Sequence, residues 1–355
     1  MGFIKNGAAL IQRKIDSAEN TVVISGNYEI EKTILIPSDF HLVLENCWLR
    51  MADDTFCNMF TNANCRNFGK NDRNIILEGR GNVILDGGRF NGLSERTQLK
   101  EGRPAIYNNN LILFARVNGF EVKNLHLRNQ RWWATNFIYC ENGHIANLDF
   151  RSNPQRIDEN GNTVEGGFSF YENYESICVK NSDGIDIRCG CKNILIENIT
   201  GFLEDDTVAM TSVANGEMER LFADPEKSPD MCNITVRNVM SSSLCSQVRI
   251  LAQGGGRIYN ILVDGITDTS ATRSELVRGV NSLKIGDWTL YGGKAAEPND
   301  ISNITVKNIF SRAVNAVCVV GPLGRNVKIS NVNMFDGCEN LIKLVGDTDA
   351  LIFEP

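Results

Sequence analysis

Short runs in which apolar and polar positions alternate recur along most of the chain. They are NGFEVKNL from residue 118, KNILIENI from 192, CNITVRNV from 232, YNILVDGI from 259, SNITVKNI from 302 and RNVKISNV from 325. Ile194 and Ile196 alternate with Leu195 and Glu197, which is the period of a strand and not of a helix. Each run reads as a short strand closed by a polar turn. Aligned on the closing Asn, the runs repeat every 23 residues from Asn124 to Asn147 and again from Asn308 to Asn331. The longer gaps fit one or two such units plus an insertion. A unit this size, with two or three short strands, cannot bury its apolar face alone, so units must stack. The expected fold is all-β, a single-stranded right-handed parallel β-helix in which Asn side chains at equivalent turns bond one another. A leucine-rich repeat has a similar period, but its L-x-x-L-x-L frame is missing.

The ends of such a stack need covering. Residues 1–20 contain AALIQRKIDSA, with Leu10, Ile11 and Ile15 near helical spacing, and predict a capping helix that leads into the strand TVVISG at 21–26. The tail LIKLVGDTDALIFEP is the candidate last coil. Residues 21–355 then form the coils of one domain, with irregular insertions near 87–104, 153–173 and 215–230. Long loops on a rigid scaffold are expected to wall a functional groove.

Composition narrows the class. Hydrophobic residues make up 42% and charged residues 22%, ordinary for a globular chain, and 31 Gly against 8 Pro suit many tight turns. A net charge of −7 argues against nucleic acid as a partner. An acidic substrate would need specific Lys or Arg groups. Eleven cysteines, an odd number, do not suggest a disulfide framework and point to reduced thiols. The pair Cys189 and Cys191, two apart on an expected strand, reads as core filling before it reads as a metal site. The first residues show no apolar stretch with a cleavage site, and no run of about 18 apolar residues occurs. The expectation is a cytoplasmic chain, or a secreted one if a signal peptide has been removed, with no membrane partner, no cofactor and no metal.

The candidate chemistry lies on the repeat period. Asp183 precedes Asp205 and Asp206 by 22 and 23 residues, one expected coil. Stacked coils rise by roughly 4.8 Å, which would bring the carboxyls to about 5 Å before side-chain direction is counted. Like charges that close drive one group to hold its proton while another ionises, as general acid and base require. Solvated turn acids and a calcium site are the alternatives at this spacing.

The same residues resemble glycoside hydrolase family 28, the polygalacturonase group of pectin-lyase-like β-helices. NSDGIDI (181–187) is similar to its N-T-D-G-I-D-I, EDDTVAM (204–210) to its G-D-D-C-I-A-I, and NQRWWATNFIYC (129–140) to its N-S-P-x-W segment. ILEGRGNVILDGG (76–88) and RPAI (103–106) follow the expected order. The resemblance implies inverting hydrolysis of a glycosidic bond in a pectic or other uronic-acid-containing carbohydrate. Asp205 would protonate the leaving oxygen while Asp183 and Asp206 activate water, with Asn181 and Trp132 at the sugar. Trp132 and Trp133, neighbours on an expected strand, face opposite sides, so at most one can stack on a ring.

Two departures from the family pattern touch sugar recognition. Its G-H-G coil falls on LCSQVRILAQ (244–253), where Ser246 or Gln247 replaces the His; His41, His126 and His144 all fall on other coils. Its R-I-K motif, which holds the substrate carboxylate, becomes SLK, retaining Lys284; Arg249 and Arg278 are candidate replacements for the lost Arg. These changes suggest a shifted specificity. The competing readings are a polysaccharide lyase or epimerase on the same solenoid and a non-catalytic, tailspike-like carbohydrate binder.

Overall fold

A computed structural model describes residues 2–53, 55–88, 108–130, 133–152, 182–270, 279–291 and 293–355. Among these, two parallel sheets run the length of the chain, one of twelve strands and one of ten, and the chain passes from one to the other once per coil. The longer strands, such as Val117–Arg128, Glu141–Arg151, Lys192–Leu203 and Met231–Ser243, belong to the first sheet. The short ones, including Thr135–Ile138, Ile185–Arg188, Val208–Val213, Ser246–Gln253 and Asn281–Ile285, make the second. Long-range parallel pairing with no return hairpin is the expected stacked-coil architecture.

Alternation places one β-branched stack after another inside. Ile194 pairs in register with Ile234, Ile234 with Ile261 and Ile261 with Ile304, while Ile196, Val236, Val263 and Val306 form a parallel stack two residues on. All eight are at most 2% exposed, so each coil is roofed by the next.

The repeated Asn residues do more than end strands. Asn124, Asn147, Asn198 and Asn238 have φ between 54° and 60°, a left-handed conformation that Asn tolerates better than most residues. The strands do not stop there, contrary to the sequence expectation. Each bends and pairing resumes beyond the corner, as Ile196↔Val236 and Ile199↔Val239 show on either side of Asn198. Each Asn amide donates to the Asn one coil below, Asn147 to Asn124 at 2.8 Å, Asn198 to Asn147 at 3.1 Å and Asn238 to Asn198 at 3.1 Å. A second ladder runs through Asn118, Asn142, Asn193, Asn233 and Asn260. The gap from Asn124 to Asn198 therefore holds two coils, and that from Asn198 to Asn238 holds one enlarged coil.

The predicted cap is α1 (Gly7–Ser17), with Ala8, Ile11 and Ile15 buried and Leu10 at the margin. The last coil comprises Asn340–Val345 and Leu351–Glu354. Of the expected insertions, 215–230 contains α2 (Glu217–Phe222), while 153–173 and all but the first two residues of 87–104 lie outside the described residues.

Cys189 and Cys191 are free and buried, but not side by side on one strand face. They flank a turn at Gly190 (φ 74°), which sends Cys191 into the main core and Cys189 into a smaller cluster with Tyr139 and Phe222. Burial pushes the Cys189 thiol up to about 12, so it packs as a neutral group. The ten cysteines among the described residues form no disulfide with one another. No helix among them is long and apolar enough to cross a membrane.

Candidate active site

Asp183 lies just before strand Ile185–Arg188, and Asp205 and Asp206 just before Val208–Val213; the two strands pair in parallel with Ile185 opposite Val208. The pairing continues into the acid turns. The Gly184 amide donates to the Asp206 carbonyl at 2.9 Å and the Ile185 amide to that of Thr207 at 2.9 Å. Gly184 is required by close approach, since a Cβ there would meet the Thr207 carbonyl oxygen at 2.5 Å. The D-G dipeptide thus lets one acid-bearing turn settle on the other. All three carboxyls are secluded, with residue exposures of 5% for Asp183, 9% for Asp205 and 0% for Asp206.

Their support comes from the surrounding hydroxyls and backbone. Asp205 Oδ1 accepts from the Asp206 amide at 2.9 Å, Ser243 donates to the Asp205 carbonyl at 2.6 Å, and Ser182 donates to Glu204 at 3.0 Å. One oxygen each of Asp183 and Asp206 has no hydrogen-bond partner. Buried acceptors without partners are rare in settled cores and are expected where a ligand or water completes the set.

Burial drives Asp183 well above the usual carboxylate range, and the charges of Asp205, Asp186 and Asp206 reinforce the effect while Arg249 opposes it. Asp186, also raised first by burial, reaches about 7 although Arg188 pulls it down. Both shifts favour the protonated form, and Asp183 is one of the two groups expected to activate water. Arg249 donates to Asp206 at 3.5 Å and supplies the nearby positive charge.

The second sheet then brings in the residues expected to recognise a sugar. Arg249 is in register with Ala209 on one side and Lys284 on the other, so both cations lie on the same outer face one coil apart. Their positive ends meet on Asp287, whose Oδ2 accepts from Arg249 at 2.5 Å and Lys284 at 2.7 Å. Gly286, at φ 74°, reverses the chain so that Asp287 reaches back to this point. Gln247 follows Ser246, whose carbonyl accepts from Thr207 at 2.9 Å, and so lies beside the acid turns where the family pattern has His. Asn181, Trp132 and Arg278 lie outside the described residues. Trp133 precedes strand Thr135–Ile138 and does not lie in it; its ring is covered by Arg188 at 4.3 Å. The three His residues sit on the first sheet, His41 beside Glu78, His126 beside Asp149 and His144 beside Glu197.

Asp186, Asp287, Tyr291 and the Arg188–Glu219 pair escaped the sequence reading. The first had a signal, because Asp186 follows Asp183 on a strand whose neighbours Ile185 and Ile187 point to the core. Cys245 was also overlooked, and its Sγ and carboxyl oxygens of Asp205 and Asp206 all lie within 4.8 Å of one another. Burial and both aspartates push that thiol well above its ordinary value, leaving a protonated, soft donor beside hard oxygens.

The sequence profile described as "Glycosyl hydrolases family 28" matches residues 27–222, more than half of the chain. The chain belongs to this family. It is a glycosidase, and the matched region includes Asp183, Asp205 and Asp206 but stops before Gln247, Arg249, Lys284 and Asp287. No curated protein sequence matches it. Among solved structures, it is similar to a 1,3-α-1,4-β-D-galactose-4-sulfate-3,6-anhydro-D-galactose-2-sulfate 4-galactohydrolase, with TM-score 0.61 and 13% identity over 96% of this chain and 86% of that one. A polygalacturonase from Erwinia carotovora ssp. carotovora aligns with TM-score 0.54 and 15% identity over 98% and 93%. An exopolygalacturonase from Thermotoga maritima aligns with TM-score 0.52 and 13% identity over 98% and 87%. At these identities the likeness is one of fold, the right-handed parallel β-helix.

Proposed function

We propose that this glycosidase hydrolyses a glycosidic bond of a poly- or oligosaccharide with inversion, using Asp205 as general acid and Asp183 with Asp206 to activate water. The observation that carries the reading is the direct backbone pairing of the two acid turns, Gly184 to Asp206, which stacks the three carboxyls in one secluded cluster. Inversion needs one protonated and one ionised carboxyl at the same bond. Burial and like charge favour the protonated form of Asp183, and Arg249 donates to Asp206 at 3.5 Å. Interacting carboxyls titrate together, so the raised Asp183 does not dictate which group delivers the proton to the leaving oxygen. The unpartnered oxygens of Asp183 and Asp206 are suited to hold the attacking water.

The test begins with release of reducing ends across pectic and other polysaccharides, followed by the anomeric configuration of the first product by NMR. Asp205→Asn should lower kcat by about 10²–10⁴-fold with sugar binding retained, the range of a lost general acid. A retained anomeric configuration, or an unsaturated product absorbing in the ultraviolet, would rule the mechanism out. A chain that binds sugar without turning any over would belong instead with the non-catalytic solenoids.

A further inference from the structure

We propose that Asp287 sets the substrate class by occupying the Arg249–Lys284 cation pair, so that the sugar bound at this pair is uncharged and not a uronate. This rests on the hydrolase reading above for where the sugar lies. Recognition of a sugar carboxylate needs cationic donors that are open when the ligand arrives. Here both are engaged within the chain. Lys284 donates to Asp287 at 2.7 Å and its ammonium lies 4.4 Å from the centre of the Trp288 ring. Arg249 spans Asp206 and Asp287, with the Tyr291 ring 4.9 Å from its guanidinium carbon. The side chains are only 14%, 11% and 1% exposed for Arg249, Lys284 and Asp287, so little water screens the triad. The two cations hold Asp287 below the usual carboxylate range despite its burial, and it remains an anion. An incoming carboxylate would have to displace it from Lys284 and from an Arg249 that also donates to Asp206.

Gln247 gives an independent indication. Val248 and Ile250 point into the core, so alternation turns Gln247 to the outer face with Arg249. It is fully buried, and neither its Oε1 nor its Nε2 has a hydrogen-bond partner. An amide offers one acceptor and two donors side by side. A sugar hydroxyl, itself donor and acceptor, satisfies both kinds of atom, whereas a carboxylate can take only the N–H and leaves the Oε1 orphaned.

The decisive comparison uses an oligogalacturonide and the same oligosaccharide with its carboxyls reduced to primary alcohols. Hydrolysis is followed by kcat/KM, and binding by calorimetry in the Asp205→Asn protein. The wild type should favour the reduced ligand by tenfold or more, and Asp287→Asn, which frees the two cations, should move the ratio towards the uronate by at least tenfold. A wild type that prefers the uronate, or a ratio unmoved by Asp287→Asn, overturns the proposal. Should Asp287→Asn fail to fold, the wild-type ranking decides alone, and Gln247→Leu should weaken the reduced ligand selectively. Binding with the expected ranking but no turnover would remove the hydrolase reading and leave this one standing; turnover with the opposite ranking would do the reverse.

Discussion

Asp186 shows what the acid cluster costs the fold. Its carboxyl, raised by burial to about 7 against an ordinary 3.8, holds a proton in the folded chain that the unfolded chain has lost. Stability from this group is therefore fully present below about pH 4 and lost as pH rises towards 7, at about 1.4 kcal/mol per pH unit. Asp186→Asn should flatten that slope: between pH 4.5 and pH 7.5 its denaturant unfolding free energy should gain roughly 2–4 kcal/mol on the wild type. Loss of the 3.4 Å contact to Arg188 shifts both ends of the comparison alike, because Arg188 stays charged throughout. Parallel pH profiles for the two proteins would mean that Asp186 is ionised in the fold. The cluster was partly legible in the sequence for a physical reason. Asp183, Asp205 and Asp206 lie within one uninterrupted coil, so their separation in sequence equals a step in space. Asp287 and Glu219 come from a turn after Gly286 and from α2, inside enlarged coils where no period relates residue number to position.

The element that repeats is a bent strand with an Asn at its corner, and Asn198 combines two roles there. Its φ of 57° asks for a residue that accepts the left-handed region, and its amide both donates to Asn147 and accepts from Asn238. Alanine loses both roles, whereas glycine retains the backbone freedom. Asn198→Ala should therefore cost about 1–2 kcal/mol for the left-handed conformation and roughly 0.5–1.5 kcal/mol for each lost bond, and Asn198→Gly only the latter. Thermal unfolding of the two variants separates the contributions, and equal losses would show that conformation is not what selects Asn. The alternating runs KNILIENI and CNITVRNV revealed the stacked coils because their apolar residues keep one face inward across the whole first sheet. That the strand continues through Asn198 was not legible, since a corner and a terminus use the same polar residue; only the resumed pairing of Ile199 with Val239 distinguishes them.

A stack of coils has two ends, and the N-terminal end is closed on both sheets. The edge strand Thr21–Ile30 receives an added backbone bridge from Ile4, which donates to Asn27 and accepts from Glu29, each at 2.9 Å. The other sheet's edge strand, Ile34–Ile36, is met by the α1 side chain Gln12, which accepts from the Leu35 amide at 2.8 Å and donates to its carbonyl at 3.2 Å. Glu31 takes the first-turn amides of Ala8 and Ala9 at 3.3 and 3.4 Å, where an anion suits the positive end of the helix. At the far end, Leu344 and Ile352 are 51% and 47% exposed, so the last coil is the more open one. Each coil pairs with its neighbours, and α2 reaches further, with the Phe222 carbonyl accepting from Arg116 and its ring 5.2 Å from the Arg66 guanidinium carbon, so damage confined to the strands before residue 62 should stay local. Ile11→Ala, which hollows the fully buried contact of α1 with the first coil, should cost about 2–4 kcal/mol there. Combined with Gln12→Ala it should remove hydrogen-exchange protection from strands before about residue 62 and promote aggregation through the bared edges. The acid coils, more than a hundred residues away, should keep both their protection and their turnover. Uniform loss of protection across the chain would instead show that the coils unfold as one unit, and the independence claimed for the acid coils would fail.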